Sequence, residues 1–244
     1  MKKIIFSLSL GISLSFFGGC ASFNQIVKEA AGALENGGGN VTQTEIASGL
    51  KEALQIGITK GADVVSKTDG YFKNPQIKIP LPAEAAKVEK ALRDVGMGAE
   101  VDKAILAINR GAEDAAKSAK PIFVSAITKM TLNDAMGILK GTDKTAATKY
   151  LEKTTGAQLS NAFRPVITQS LDKTLATKYY GDIVKEYNKL PFITKKLNPD
   201  LGDFVTQKAL DGLFMMIAKE EQNIRKDPLA RVSALLKKVF KLQD

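Results

Sequence analysis

The 244-residue chain contains no histidine, no tryptophan and a single cysteine, Cys20. Without histidine it cannot build a Ser-His-Asp or Cys-His nucleophile, and it has no imidazole ligand for zinc. With one cysteine it can form neither an intrachain disulfide nor a Cys-X-X-Cys redox pair. The composition therefore excludes the commonest nucleophilic, zinc and thiol-redox chemistries, and we expect neither a metal nor a cofactor.

The rest of the composition is typical of a folded protein. Hydrophobic residues make up 44% of the chain and charged residues 25%, and a chain of this length buries roughly 70–75% of its unfolded surface. The formal net charge is +9. Because the lysines are spread along the whole chain, with no strip rich in arginine or aromatics, we expect mostly solvated lysines and no nucleic-acid partner.

The N-terminus has the pattern of an export signal. After the basic start Met1-Lys2-Lys3, Ile4–Phe17 is uncharged and is followed by Gly18, Gly19 and Cys20. This stretch is shorter than the about 20 apolar residues of a bilayer span, so it predicts a signal peptide over residues 1–19. The segment resembles a bacterial lipoprotein lipobox, with Phe17 where leucine is commonest. That resemblance implies diacylglyceryl transfer to Cys20, cleavage before it and acylation of its amino group. The alternative is an ordinary signal peptide with an incidental free cysteine.

This prediction places the protein in the cell envelope, anchored by lipid and facing the periplasm. Two or more acyl chains, at about 0.8 kcal/mol per buried methylene, give stable anchoring where one chain does not. Loss of residues 1–19 would remove two lysines and no acid, leaving a net charge of +7. Ala21 provides no acidic retention signal, which favours the outer membrane. The expected partners are the membrane, through the N-terminal lipid, and an envelope protein or an apolar ligand.

The mature chain divides into a flexible tether, residues 20–41, and a single helical domain, residues 42–244. The tether combines a weakly amphipathic segment, 22–35, with the glycine-rich run Asn36–Asn40. The predicted fold is all-α, an irregular multi-helix bundle with one extended, proline-containing arm over about 67–82. Helices are predicted over 42–66, 83–95, 99–118, 121–130, 132–140, 143–154, 157–176, 180–189, 201–226 and 228–241.

Local signals set several helix boundaries. Thr42 with Glu45 and Thr131 with Asp134 have the spacing of N-terminal caps, and Gly141 suits a helix end. Asp227-Pro228 predicts a helix that starts at residue 228, and Arg164-Pro165 predicts a kink.

Six runs of the body resemble one bacterial family. They are GLKEAL (49–54), DGYFKNPQIKIPLP (69–82), AINRGAEDAA (107–116), AITKMTLNDAMGILKG (126–141), AATKYL (146–151) and ALDGLFMMIAKEEQNIRKDPLARVSALLKKVF (209–240). On these runs the chain is similar to the family known as domain of unknown function 4197 from about residue 42 to 241. The resemblance implies an exported, mostly helical protein, often a lipoprotein, with no established activity and no assigned catalytic residue.

The first helix of the body contains a ridge of small residues. Gly49, Ala53, Gly57 and Gly61 recur at every fourth position, although each interior glycine costs about 1 kcal/mol relative to alanine. The ridge indicates the close approach of another backbone or of a flat ligand. We favour contact between helices over a ligand floor.

Glu220 is a candidate polar centre. Helical spacing places it within the apolar stripe of 201–226, with Glu221 at the edge. A buried carboxylate needs a hydrogen-bonded cation or becomes protonated, and the sequence offers Arg110, Arg164 and Arg93 without choosing among them. The site could line a pocket or fix helix register through an interior ion pair, and we favour the second.

Asn109, Arg110 and Glu113 form a second polar group beside an apolar stripe. Glu113 with Glu220 and Asp134 could make an oxygen-only metal site, although nothing in their spacing requires one. Glu113 or Glu220 could also serve carboxylate-based hydrolysis, but no tryptophan is present to stack on a sugar.

The C-terminal helix is basic and amphipathic. Arg231 is predicted to be solvated, and Lys237, Lys238 and Lys241 lie on its polar side. The helix could be packed on the core with a charged outer face, which we favour, or touch an anionic membrane.

The function expected from these features is non-catalytic binding or scaffolding at the membrane surface. One alternative is a carrier or sensor of an apolar ligand, which predicts an enclosed cavity of at least ~300 Å³ beside the ridge. A second alternative is a hydrolase, which predicts that Glu220 or Glu113 opens into a solvent-reachable cleft.

Overall fold

The computed structural model describes residues 42–173 and 198–240 except 232, together with positions 177, 180, 181, 184, 185, 188, 189, 191 and 196. All of them belong to one unit, Asn40–Asp244. The predicted signal peptide, Cys20, the tether and its segment 22–35 lie outside the described residues, as does much of the predicted helix 180–189.

The described part of the chain is helical and contains no β-strand, which confirms the predicted all-α fold. Both predicted capping boxes are present, with Thr42 and Thr131 each accepting from a backbone N–H three residues on. The α-helices are α1 Gln43–Ser66, α2 Ala86–Asp94, α3 Gly98–Ala116, α4 Ala119–Lys129, α5 Leu132–Lys140, α6 Ala146–Asp172, α7 Leu201–Lys226 and α8 Ala234–Phe240, with 3₁₀ turns at Ala83–Ala85 and Pro228–Ala230.

Helix α1 is the central element of the bundle. It contacts α3, α4, α5, α7 and α8, while α6 packs against α3, α4 and α7. The α1–α7 pair is antiparallel, because Gly57 faces Ile224 while Gly61 faces Ile217. The core between these helices includes an edge-to-face pair of rings, Phe123 and Phe214, 5.8 Å apart. Burial of this apolar surface is the main source of stability.

The segment after α1 is folded into turns before it becomes extended. Residues 68–77 form turns, apart from position 74, and only residues 78–82 are extended, so the predicted extended arm over 67–82 is too long. Ile77 and Ile79 are buried while Lys78 and Pro80 are exposed, so alternate side chains of this part of the arm face the core. Asp69 has a φ of 68°, which gives the chain the left-handed residue that its sharp turn out of α1 needs.

Two predicted helix boundaries are wrong. The helices predicted at 143–154 and 157–176 are one helix, α6, which runs through Gly156 and Pro165. Within this stretch the buried hydroxyl of Thr155 donates to the Leu151 carbonyl at 2.6 Å, so its hydrogen-bond donor is satisfied inside the helix. The predicted helix 228–241 is instead a single 3₁₀ turn followed by α8.

Among the described residues, no individual helix has both the length and the apolarity of a bilayer span. One bent pair, Gly98–Lys129 with Leu132–Lys140 at 101°, meets the requirement by length and composition alone.

Candidate functional site

Glu113 on α3 binds the turn that follows α1. Its side chain is 3% exposed, and its Oε1 accepts the backbone N–H groups of Tyr71 and Phe72, each at 3.1 Å. Its Oε2 accepts Arg110 Nη1 at 2.5 Å, and Arg110 Nη2 donates to Asp69 Oδ1 at 2.7 Å. The buried carboxylate is therefore matched by a cation and two amides, which is what burial of a charge requires.

These ion pairs shift the pKa values of the partners in the expected directions. The hydrogen bond to Glu113, and then that to Asp69, raises the pKa of Arg110. Hydrogen bonds from Lys73 and from Arg110 lower the pKa of Asp69. Both partners are thus held in their charged forms.

Asn109, one turn before Glu113, binds the extended part of the arm. Its Oδ1 accepts the Ile79 N–H at 2.9 Å, and its Nδ2 donates to the Ile79 carbonyl at 2.8 Å and to the Ile105 carbonyl at 2.8 Å. The amide satisfies both backbone groups of Ile79, as a neighbouring β-strand would. We call the group Asp69, Asn109, Arg110 and Glu113 the arm clamp.

Tyr71 anchors the same turn in the core. Its side chain is fully buried, and its hydroxyl donates to the Ala209 carbonyl on α7 at 2.6 Å. Burial, and then the charge of Glu113, raises the pKa of this phenol well above its usual range. Gly212 makes room for the ring, since a Cβ there would lie 2.7 Å from Tyr71 Cε1.

The outer side of the arm clamp is partly open to solvent. Phe72 contacts two cations, with Lys78 Nζ 4.5 Å and Arg110 Cζ 5.8 Å from its ring centroid. These distances are those of cation–π contacts. Arg110 is 34% exposed, whereas Glu113, with which it pairs, is 3% exposed.

The predicted burial of Glu220 is wrong, because the buried carboxylate of α7 is Glu221. Glu220 is half-buried, whereas Glu221 is 8% exposed and pairs with Arg225 at 2.9 Å, not with Arg110, Arg164 or Arg93. Because α7 packs against both α1 and α6, its buried surface is wider than one apolar stripe and includes position 221.

Glu221 binds the first turn of α6. It accepts the N–H groups of Ala147 and Thr148, at 3.1 and 2.8 Å, and the Thr148 hydroxyl at 2.7 Å. The N–H groups of the first helical turn have no partner within the helix, and the carboxylate accepts hydrogen bonds from two of them. Its negative charge is also favourable at the positive end of the helix dipole.

The other predicted partners of Glu220 are engaged elsewhere. Arg164 pairs with Asp200, and Arg93 pairs with Glu89 and Asp102.

The carboxylates proposed for a metal site do not come together. Asp134 accepts from the N–H and hydroxyl of Thr131 in its own helix cap, while Glu113 binds the turn after α1. In the described part of the chain, no group of three or more acidic or cysteine side chains could hold a metal ion. Glu113 and Asp134 bind backbone N–H groups instead.

The small-residue ridge of α1 is occupied by helices. A Cβ at Gly49 would lie 2.6 Å from Val239 on α8, and one at Gly61 would lie 3.1–3.3 Å from Ile217 on α7. Ala53 is buried on the same side of α1, and Gly57 faces Ile224. The closeness of the backbones explains why side chains are missing along this ridge.

A small cavity of about 20 Å³ remains beside the ridge, lined by residues that include Leu54, Gly57, Ile217 and Glu221. This is space for about one water molecule. The apolar-carrier alternative needs a much larger cavity than this space provides.

Arg231 is buried, so the prediction that it is solvated is wrong. Its side chain turns back onto the end of α7, where it donates to the carbonyls of Ile224 at 3.2 Å and Arg225 at 3.0 Å. These carbonyls lack helical partners. The return of Arg231 is the physical reason why the chain breaks after residue 230 and α8 starts only at Ala234.

Sequence reasoning missed Tyr71, Thr148, Glu221, Arg225 and Arg231. The spacing of Glu221 and Arg225, four residues apart, was the available signal for an ion pair, but the same spacing is common on solvated helix faces. Nothing local distinguishes Tyr71 from the half-buried Phe72 beside it.

Taken together, the fold and the site define an all-α protein whose buried polar side chains bind its own backbone. A family profile described as "Protein of unknown function (DUF4197)" matches residues 40–241, and the chain belongs to this family. Searches of curated proteins and of solved structures found no match.

Proposed function

We propose that this protein is a lipid-anchored component of the bacterial cell envelope that acts by binding or scaffolding at the membrane surface. The observation that carries the proposal is the placement of the only cysteine, Cys20, directly after an uncharged fourteen-residue segment and two glycines. That order is the one in which lipid attachment follows export.

The chemistry of the buried carboxylates favours binding over catalysis. Glu113 and Glu221 each accept two backbone N–H groups and pair with an arginine. A catalytic acid or base must reach the substrate within hydrogen-bond distance. Because Glu113 is bound by two backbone N–H groups and Arg110 within the fold, its geometry gives no support to a hydrolase that uses Glu113.

The anchor is tested by the mass of the mature N-terminal peptide. We expect a peptide that begins at Cys20 and carries acyl groups, and we expect the unprocessed Cys20→Ala variant to lack them. Recovery of the wild-type chain from the cytosol, with Met1 present and the thiol unmodified, would refute the proposal.

The binding role is tested by crosslinking in intact envelopes. If the protein works by contact at the membrane surface, the wild type should give reproducible adducts of defined mass. Cys20→Ala, which leaves the described body unchanged, should lose them. Adducts that are absent in both, at equal expression, would refute a contact role.

A further inference from the structure

The turn that leaves α1 contains an aspartate followed by a glycine, Asp69-Gly70. In such a pair the backbone nitrogen of the glycine can attack the carboxyl carbon of the aspartate, because no Cβ hinders its approach. Glycine is nevertheless required at position 70, since a Cβ there would collide with the carbonyl oxygens of Val64 and Val65. The fold therefore retains a chemically labile pair of residues at this turn.

The reaction of this pair is an isomerisation that needs only water. A bond forms between the Gly70 nitrogen, which loses its proton, and Asp69 Cγ, which loses an oxygen, so that one water molecule leaves and a succinimide ring remains. Water then adds to one of the two ring carbonyls. Opening at the Cγ carbonyl restores aspartate. Opening at the original main-chain carbonyl gives isoaspartate, whose main chain runs through Cγ and whose carboxylate is the former main-chain carbonyl group.

Both reacting groups are held by other residues in the fold. The Gly70 N–H donates to the Lys67 carbonyl at 2.9 Å. Asp69 Oδ1 accepts Arg110 Nη2 at 2.7 Å, and its Oδ2 pairs with Lys73 Nζ at 2.8 Å. The two cations favour the ionised carboxyl group, which is a poor target for a nucleophile because its oxygens carry negative charge. The attack therefore requires that the turn opens and that the cations separate from Asp69.

We infer that Asp69-Gly70 is a site of spontaneous backbone isomerisation, that the two cations on Asp69 suppress the reaction, and that isomerisation loosens the arm. In isoaspartate the main chain is longer by one methylene group. The carboxylate that Arg110 binds would then be displaced, as would the carbonyl that accepts the Lys73 N–H at 3.2 Å. The inference concerns the arm clamp and is independent of the proposed anchor.

The chain contains a second Asp-Gly pair, Asp211-Gly212, which is a matched internal reference. This pair lies in the interior of α7, where backbone N–H groups are held by helical hydrogen bonds. Asp211 is 63% exposed and pairs with Lys208 at 3.4 Å, so neither cation of the arm clamp contacts it. In the denatured chain the two pairs have the same local chemistry and should isomerise at similar rates.

The test is ageing of the full chain at neutral pH and physiological temperature, once native and once in guanidinium chloride. Trypsin releases Thr68–Lys73 and Ala209–Lys219, in which chromatography and electron-based fragmentation distinguish isoaspartate from aspartate. We expect isoaspartate at position 69 to form slower by an order of magnitude or more in the native protein, because the turn must open first. Equal rates in the native and the denatured chain would overturn the inference.

Two lysine variants decide whether the cations themselves suppress the reaction. Lys73 and Lys78 are both exposed residues of the arm, but Lys73 contacts Asp69, whereas Lys78 lies over the Phe72 ring. Lys73→Gln should raise isoaspartate formation at position 69 several-fold and leave that at Asp211 unchanged. Lys78→Gln should change neither. Equal effects of the two variants, or equal acceleration at both aspartates, would contradict a role for the ion pair.

Arg110→Gln should accelerate the reaction at Asp69 more than Lys73→Gln does, because it also removes the cation that pairs with Glu113. Circular dichroism checks that this variant is folded, and the two lysine variants decide the result if it is not.

The effect on the arm is measured on the aged wild type by brief proteolysis in urea, which digests the unfolded chains. If isomerisation loosens the arm, isoaspartate at position 69 should be rarer among the surviving chains than in the whole sample, and isoaspartate at position 211 is counted in the same digests. An equal share of isoaspartate 69 before and after proteolysis would refute the loosening.

Discussion

Gly212→Ala should destabilise the protein although it adds a good helix former to α7. A Cβ at position 212 would lie 2.7 Å from Tyr71 Cε1 and 3.1 Å from Ile77 Cβ. Carbon atoms pack best at about 3.5–4.0 Å, so the ring would have to move by about 1 Å. Its hydroxyl is held by the Ala209 carbonyl at 2.6 Å and its backbone N–H by Glu113, so the ring cannot move without breaking these contacts.

The expected change in the free energy of unfolding combines one stabilising and two destabilising contributions. Replacing an interior helical glycine by alanine stabilises by about 1 kcal/mol, and overpacking a well-filled core costs about 1–3 kcal/mol. Loss of the Tyr71 hydrogen bond would add about 1 kcal/mol to that cost. We expect the free energy of unfolding to fall by about 1–3 kcal/mol, measured as a lower urea midpoint at unchanged slope.

Gly156→Ala is the matched control. Position 156 lies inside α6 and a Cβ there meets nothing within 4 Å, so the same change should stabilise by about 0.5–1 kcal/mol. If Gly212→Ala were as stable as Gly156→Ala, the close packing of the turn against α7 would be refuted.

Three further changes test the other contacts. Asn109→Asp should lower the free energy of unfolding by about 1–3 kcal/mol in urea, because aspartate cannot donate to the carbonyl of the arm. Glu221→Gln removes one charge of a buried ion pair and should cost about 3–5 kcal/mol, whereas Glu220→Gln on its half-buried neighbour should change stability by less than about 0.5 kcal/mol. Hydrogen bonds at the α1 cap and from Lys238 lower the pKa of Glu45 from 4.5 to about 2. The stabilisation from Glu45 should therefore be complete above pH 4.5 and disappear as the pH falls towards 2, which the urea midpoints of wild type and Glu45→Gln will show by converging.

Each of these predictions would be contradicted by a particular result. Wild-type stability of Asn109→Asp would mean that the arm does not depend on the amide. Equal effects at positions 220 and 221 would remove the distinction between the two carboxylates. A difference between wild type and Glu45→Gln that stays constant from neutral pH to pH 2 would contradict the lowered pKa.

The helix caps and the arm could be predicted from the sequence because they depend on interactions between residues close together in the chain. Thr42 and Thr131 are followed three residues later by acids, and these short-range hydrogen bonds form with little help from the rest of the fold. The alternation of Ile77 and Ile79 with Lys78 likewise depends only on which side of the chain meets the core. For the same reason the sequence predicted that the arm packs on the body without becoming a strand.

The break between two helices at Gly156 was predicted and is absent, because tertiary packing overrides a weak local preference. Helix α6 packs on α3, α4 and α7, and a glycine inside a helix costs only about 1 kcal/mol. The opposite happened after Ala230, where a helical pattern is interrupted because Arg231 binds the end of α7.

The sequence by itself determined the helical class, the caps and the polar character of 109–113, and the segment that ends at Cys20 predicts export. It also showed that the ridge of α1 meets something at close range. Only the tertiary structure decided which of two adjacent carboxylates is buried, which cation pairs with it and what lies against the ridge. The physical reason is that periodicity gives the direction of a side chain around its own helix, whereas its partner depends on how several helices meet.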